Sequence, residues 1–126
     1  MNIFVKNKYC VMMCGESSKK VIVVYCLEER LNINQVECLK KCLQPFMEQS
    51  GIHLVLDLSR VCFMDCAMLG FLLFLHQQLL KKGSLLSLSN LNRFVELLVV
   101  TSKTERIIHI IKKNQIKNME IWMKRK

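Results

Sequence analysis

Residues 54–88 read LVLDLSRVCFMDCAMLGFLLFLHQQLLKKGSLLSL, and the order of signals within them decides the fold. An apolar run, Leu54-Val55-Leu56, closes in the polar Asp57-Leu58-Ser59-Arg60 and predicts a strand. Phe63-Met64-Asp65 then opens a long apolar stretch that starts at Cys66 and ends in Lys81-Lys82-Gly83. Asp65 has the chemistry of an N-cap, because its carboxylate accepts from the free amides of a first helical turn. Lys81 and Lys82 place cations where a helix C-terminus favours them, and Gly83 suits the left-handed position that ends the helix. A second apolar run, Leu85 to Leu88, follows at once. Strand, capped helix and strand at this spacing form a βαβ unit, which requires the two strands to lie parallel.

Outward from this unit the chain repeats the pattern. Upstream, residues 8–13 predict a first strand, residues 15–19 a turn, and VIVVYC at residues 21–26 a β-branched strand suited to burial on both faces. Asn32 followed three residues later by Gln35 fits a capping box. The helix it opens carries Val36, Leu39, Leu43 and Phe46 at helical spacing, so these face the sheet. Pro45 removes one hydrogen bond and clashes with the preceding turn, so the helix either kinks there or ends near Gln44 and resumes briefly. Downstream, Asn92 is a cap for a short helix over residues 93–100 with Phe94, Leu97 and Leu98 as its apolar side. After a polar break, residues 106–111 predict a final strand. The order is β, β, α, β, α, β, α, β, an α/β domain whose helices pack mainly on one face of a mixed sheet of four to five strands.

At Asp57-Leu58-Ser59, at the run from Phe63 to Gly70 (FMDCAMLG) and at Lys82-Gly83 the chain resembles the STAS domains, most closely the single-domain anti-sigma factor antagonists. Their pattern is a hydrophobic strand ending in Asp-Leu-Ser, an apolar-Asp-Ser-Ser/Ala-Gly-Leu-Gly turn into a helix, then Lys/Arg-Gly and another strand. The resemblance covers roughly residues 20–111 and implies the same β, α layout. Two departures fall on the turn: Cys66 stands where the family has its phosphorylated serine, and Met68 replaces the first glycine. In the family the unmodified serine lets the domain dock on an anti-sigma kinase, and phosphate releases that partner by repulsion and desolvation. The resemblance implies Asp65, Cys66, Ala67 and Met68 as the recognition turn. A thiol is not an ordinary serine-kinase substrate, so the usual off-switch is expected to be absent.

Composition narrows the function classes. Hydrophobic content of 52% against 23% charged residues describes a globular chain, here a domain over residues 1–111 followed by a tail. No apolar run reaches the roughly 20 residues of a transmembrane helix, and the N-terminus has too short and irregular an apolar part for a signal peptide, so a cytoplasmic protein is expected. Seven cysteines, an odd number scattered through apolar segments, suggest reduced and mostly buried thiols. Cys10/Cys14, Cys38/Cys42 and Cys62/Cys66 share a four-residue spacing. Only the middle pair falls on an expected helix and no Cys-x-x-Cys occurs, so no metal site is assigned. The formal charge is +9, of which Lys112, Lys113, Lys117, Lys124, Arg125 and Lys126 against Glu120 place +5 in the tail, residues 112–126. That charge suits nucleic acid, anionic lipid or an acidic partner, set against the plainer reading of a solvated tail. No direct nucleic-acid binding is expected.

Catalysis finds little in the residues. His53, His76 and His109 each lie in apolar runs, and there is no P-loop, glycine-rich phosphate cradle or paired-carboxylate pattern, so neither an enzyme nor a cofactor is expected. Cys66 at a helix N-terminus has its thiolate favoured by the dipole and opposed by Asp65, which leaves a redox reading beside that of a packed residue. On the second helix, Leu69, Leu72, His76, Leu79 and Leu80 cluster as a sheet-facing stripe at helical spacing. Phe71 and Phe74 then fall outward, as a contact surface for a partner or beneath a neighbouring helix or the tail. The expected partner is an anti-sigma factor or related kinase-fold protein. The alternative is the small STAS subunit that stabilises the ATPase of a lipid-transport ABC system, with which Asp57-Leu58-Ser59-Arg60-Val61 and Leu73-Phe74-Leu75-His76 are also compatible.

Overall fold

A computed structural model describes residues 2–6, 9–16 and 19–111 of the protein. The basic tail, residues 112–126, lies outside the described residues. In chain order the elements are strands β1 (Asn2–Lys6), β2 (Tyr9–Glu16), β3 (Lys19–Cys26) and β4 (Arg30–Leu31), helix α1 (Ile33–Met47), strands β5 (Ile52–Asp57) and β6 (Phe63–Met64), helix α2 (Cys66–Lys81), strand β7 (Leu85–Ser89), helix α3 (Arg93–Thr101), a 3-10 turn (Thr104–Arg106) and strand β8 (His109–Ile111). The main sheet runs β1-β2-β3-β5-β7-β8. Its first three strands are antiparallel neighbours, and β3, β5, β7 and β8 are parallel, as consecutive βαβ crossovers require.

The α/β class with helices on one face stands, and the strand count is corrected. The sheet has six strands instead of four to five, because Asn2–Lys6 adds an edge by pairing with β2. Five residues whose partner is the following strand carry no period of their own. The last strand is shorter than expected, His109–Ile111, since Lys103 takes a positive φ of 62° and the chain after it curls into the 3-10 turn. The amides of Ile107 and Ile108 both donate to the Thr104 carbonyl at 2.9 Å. α1 continues through Pro45 to Met47. Only two helical residues follow the proline, so the lost bond falls within the last turn.

Alternation along the parallel strands divides the interior. Ile22, Val24 and Cys26 of β3, Leu54 and Leu56 of β5, and Leu86 and Leu88 of β7 meet Leu39, Leu43 and Phe46 of α1, Leu72, Leu75 and Leu79 of α2, and Val95 and Val99 of α3 in one cluster. On the other face Val23, Val55 and Ile111 are buried apart from that cluster, together with Ser87 and Ser89. His53 lies there too, its Nε2 2.7 Å from Ser87 Oγ. Burial first and the neighbouring His109 second hold His53 below its ordinary pKa of 6.5. The unfolded chain therefore takes up this proton first as pH falls, and the stability present above 6.5 is lost on descending through it. Urea midpoints measured at pH 7.5 and at pH 5.5, about one unit either side of that pKa, are expected to fall more for the wild type than for His53→Gln, which keeps a polar partner for Ser87. Equal falls would show that His53 does not carry the pH dependence.

Candidate functional site

The turn that enters α2 is built by one carboxylate. Asp65 is the N-cap: its Oδ1 accepts from the amide of Met68 at 2.9 Å, as its position before the helix predicts. Its Oδ2 accepts from the amide of Ile33, the first residue of α1, also at 2.9 Å. One side chain thus satisfies free amides of two helices, with its charge at the positive end of both dipoles. α1 adds the capping box read from its sequence, with Asn34 N donating to Asn32 Oδ1 and Asn32 N to Gln35 Oε1, both at 2.9 Å.

Backbone bonds hold the two helix starts side by side. The amides of Cys62 and Phe63 donate to the Glu29 carbonyl at 2.7 and 3.2 Å, and that of Asp65 donates to Leu31 at 3.2 Å. These pair β4 with β6 as a two-stranded parallel sheet. Behind the turn, Asp57 is 6% exposed and closes the end of β5, its Oδ1 accepting from Ser59 N at 3.0 Å and its Oδ2 from Asn90 Nδ2 at 2.7 Å. Burial, then the Asp57 charge, then Cys42 push the Cys26 thiol upward, so it stays protonated and unreactive.

The structure separates the sequence-predicted site residues. Cys66 and Ala67 are exposed and Asp65 is partly buried, so the turn faces solvent. Phe71 is 7% exposed, which corrects its outward placement, and Met68 is fully buried, which takes it off the partner-contacting surface of the recognition turn. The buried face of α2 comprises Met68, Leu69, Phe71, Leu72, Leu75 and Leu79, while Leu80 is 49% exposed. At 100° per residue this face is rotated by roughly 60° from the stripe expected. The cause is α1, which packs beside α2 as well as above the sheet and covers the Phe71 side. Phe74, 42% exposed, lies at the margin of that contact, with its ring centroid 6.5 Å from that of Phe71 and 6.0 Å from Lys40 Nζ.

Three residues around the turn were missed. Ile33 is 65% exposed and Phe63 39% exposed, and the Arg30 guanidinium lies 4.5 Å from the Phe63 ring centroid. Together with Cys62, Cys66 and Ala67 they give the head of α1 and α2 a mixed apolar and cationic surface. Its only sequence signal was the alternation of exposed Phe63 with buried Met64 over two residues, too short to read. Among the described residues no three His, Cys, Asp or Glu side chains gather to hold a metal ion. His76 stands ten residues along α2 from Cys66, about 15 Å at the helical rise, so it does not supply a base to that thiol.

This arrangement of a capped turn between two parallel strands can be set beside known proteins. The family model described as STAS domain matches residues 17–115, most of the chain. The chain belongs to the STAS family. Among solved structures it is similar to a putative anti-sigma factor antagonist from Thermotoga maritima, with 20% identity over 87% of this chain and 92% of that one at a TM-score of 0.63. It is also similar to the Bacillus cell fate determinant SpoIIAA in its phosphorylated form, with 14% identity, 86% and 97% coverage and a TM-score of 0.60. A murine Solute Carrier 26 family anion transporter shares 21% identity over 73% of this chain, but only 16% of the transporter is covered, at a TM-score of 0.63. At these identities the likenesses establish the fold, which spans nearly all of the Thermotoga chain and a small part of the transporter. Comparison with curated protein sequences yields no match. No helix among the described residues is long and apolar enough to cross a membrane.

Proposed function

We propose that this STAS domain is a non-catalytic regulatory module of the cytoplasm that docks on an anti-sigma factor or a related kinase-fold partner through the turn entering α2. The observation that carries this reading is the exposure of Cys66 and Ala67 on a turn held from beneath by both oxygens of Asp65. A turn fixed in this way presents a preorganised surface and loses little entropy on docking. Ile33, Phe63 and Arg30 extend that surface, and Phe74 flanks it on α2. Met68 acts from below by filling the space under the turn, so it shapes the site without touching a partner.

Cys66 occupies the place of the family's phosphoacceptor serine. A thiol there leaves a serine kinase no hydroxyl to modify, so docking is constitutive and lacks the charge-driven release that phosphate brings. The test compares immobilised wild type with Cys66→Asp, which puts a carboxylate on the same exposed position, against a purified kinase-fold anti-sigma factor. Binding is expected to weaken by at least about tenfold in Cys66→Asp, with an unchanged melting temperature, because the new charge must be desolvated in the interface. Equal binding by the two proteins would remove the turn from the interface. Selective retention of an ABC ATPase from the same cells would transfer the chain to the transport class.

A further inference from the structure

α3 turns three large apolar side chains to solvent as well as burying two. Val95 and Val99, each 1% exposed, face the core, whereas Phe94 is 74% exposed, Leu97 63% and Val100 46%. This inverts the expected apolar side, of which only Leu98 packs against the core. At 100° per residue Phe94, Leu97 and Val100 share one outward arc of about 120°. Ile107, just past the helix, is 54% exposed. Exposed cations bracket the row: Arg93 starts the helix, and Lys103 and Arg106 follow it, against Glu96 and Glu105.

We propose that this face seats on an anionic lipid surface, with Phe94, Leu97 and Val100 entering the headgroup boundary and Arg93, Lys103 and Arg106 meeting lipid phosphates. The chain's +9 formal charge draws it to such a surface and opposes docking of a second, equally charged copy. A helix carrying single apolar side chains on an outward face needs no shape-matched pocket opposite it, and a fluid bilayer boundary accepts that form. The inference stands apart from the docking role of the α2 turn, since it uses a different helix and different side chains.

The experiment is cosedimentation of the full chain with vesicles of phosphatidylcholine alone and of phosphatidylcholine mixed with phosphatidylglycerol. Wild type is compared with the double variant Phe94→Ser/Leu97→Ser, whose substituted side chains are exposed, so the fold is retained. Both proteins keep the basic tail, so any difference between them reports the row. Wild type is expected to bind the anionic vesicles, to bind less at high salt, and to bind phosphatidylcholine poorly. The double variant is expected to bind at least about tenfold more weakly, as loss of two buried apolar side chains implies. Wild type remaining in the supernatant with anionic vesicles would overturn the proposal, as would equal binding by the two proteins. Lipid-free sedimentation velocity supplies the remaining outcome. A concentration-dependent dimer that the same two substitutions abolish would assign the row to a second copy and overturn the lipid surface.

Discussion

Phe71→Asp is expected to unfold the domain. Phe71 is 7% exposed and belongs to the central cluster, where α2 meets both the sheet and α1. Truncating a buried phenylalanine costs about 3–5 kcal/mol, and an unpaired carboxylate in its place adds several more before it protonates. A domain of this size has only about 5–15 kcal/mol in total. The expected result is loss of the cooperative thermal transition and of near-ultraviolet circular dichroism at 25 °C, the reference temperature of those energies. Phe74→Asp is the contrast. Phe74 is 42% exposed and its cation contact with Lys40 spans 6.0 Å, so its replacement is expected to cost within about 1 kcal/mol. A Phe71→Asp protein that melted within a few degrees of wild type would show that the residue faces outward after all, and would return it to the partner surface.

The two phenylalanines show where the sequence stopped being legible. Periodicity places residues around a helix but does not say how many neighbours the helix has. A stripe drawn for one neighbour, the sheet, centred on Leu72, His76 and Leu79; the second neighbour, α1, widened the buried arc to Met68 and Phe71 and left Leu80 half exposed. α3 shows the same limit more sharply. Its sequence is apolar on both sides, and Val95 and Val99 were small enough to be passed over for Phe94 and Leu97, yet the valines are the core. Signals carried by neighbours in sequence read through without loss. Asp65, Asn32 with Gln35, and Asn92 all cap the helices they precede, with Asn92 Oδ1 accepting from Val95 N at 3.1 Å. The β4–β6 pair was invisible because each strand is two residues long and finds its partner more than thirty residues away.

Asp65 joins these two kinds of information, and its removal is the second large effect expected. Its Oδ1 bond to Met68 is the local cap that the sequence announces, whereas its Oδ2 bond to Ile33 reaches across to another helix. An N-cap is worth about 0.5–2 kcal/mol, and a hydrogen bond to a charged group about 1.5–3 kcal/mol. Asp65→Ala loses both and is expected to cost about 3 kcal/mol once overlap between the two terms is allowed for. Asp65→Asn keeps a single oxygen, so it can serve one amide and not the other; it is expected to fall between wild type and alanine in urea midpoint. If asparagine matched wild type, the bridge to Ile33 would carry no weight. If asparagine matched alanine, the carboxylate charge at the two helix starts would outweigh the count of bonds. The same series reads out the site, because Cys66 and Ala67 directly follow this residue, whose carboxylate ties their turn to the start of α1. Loosening the bridge in Asp65→Asn is therefore expected to weaken docking of the proposed kinase-fold partner beyond what its stability loss explains. That loss is seen as weaker binding at a temperature where circular dichroism shows the variant fully folded.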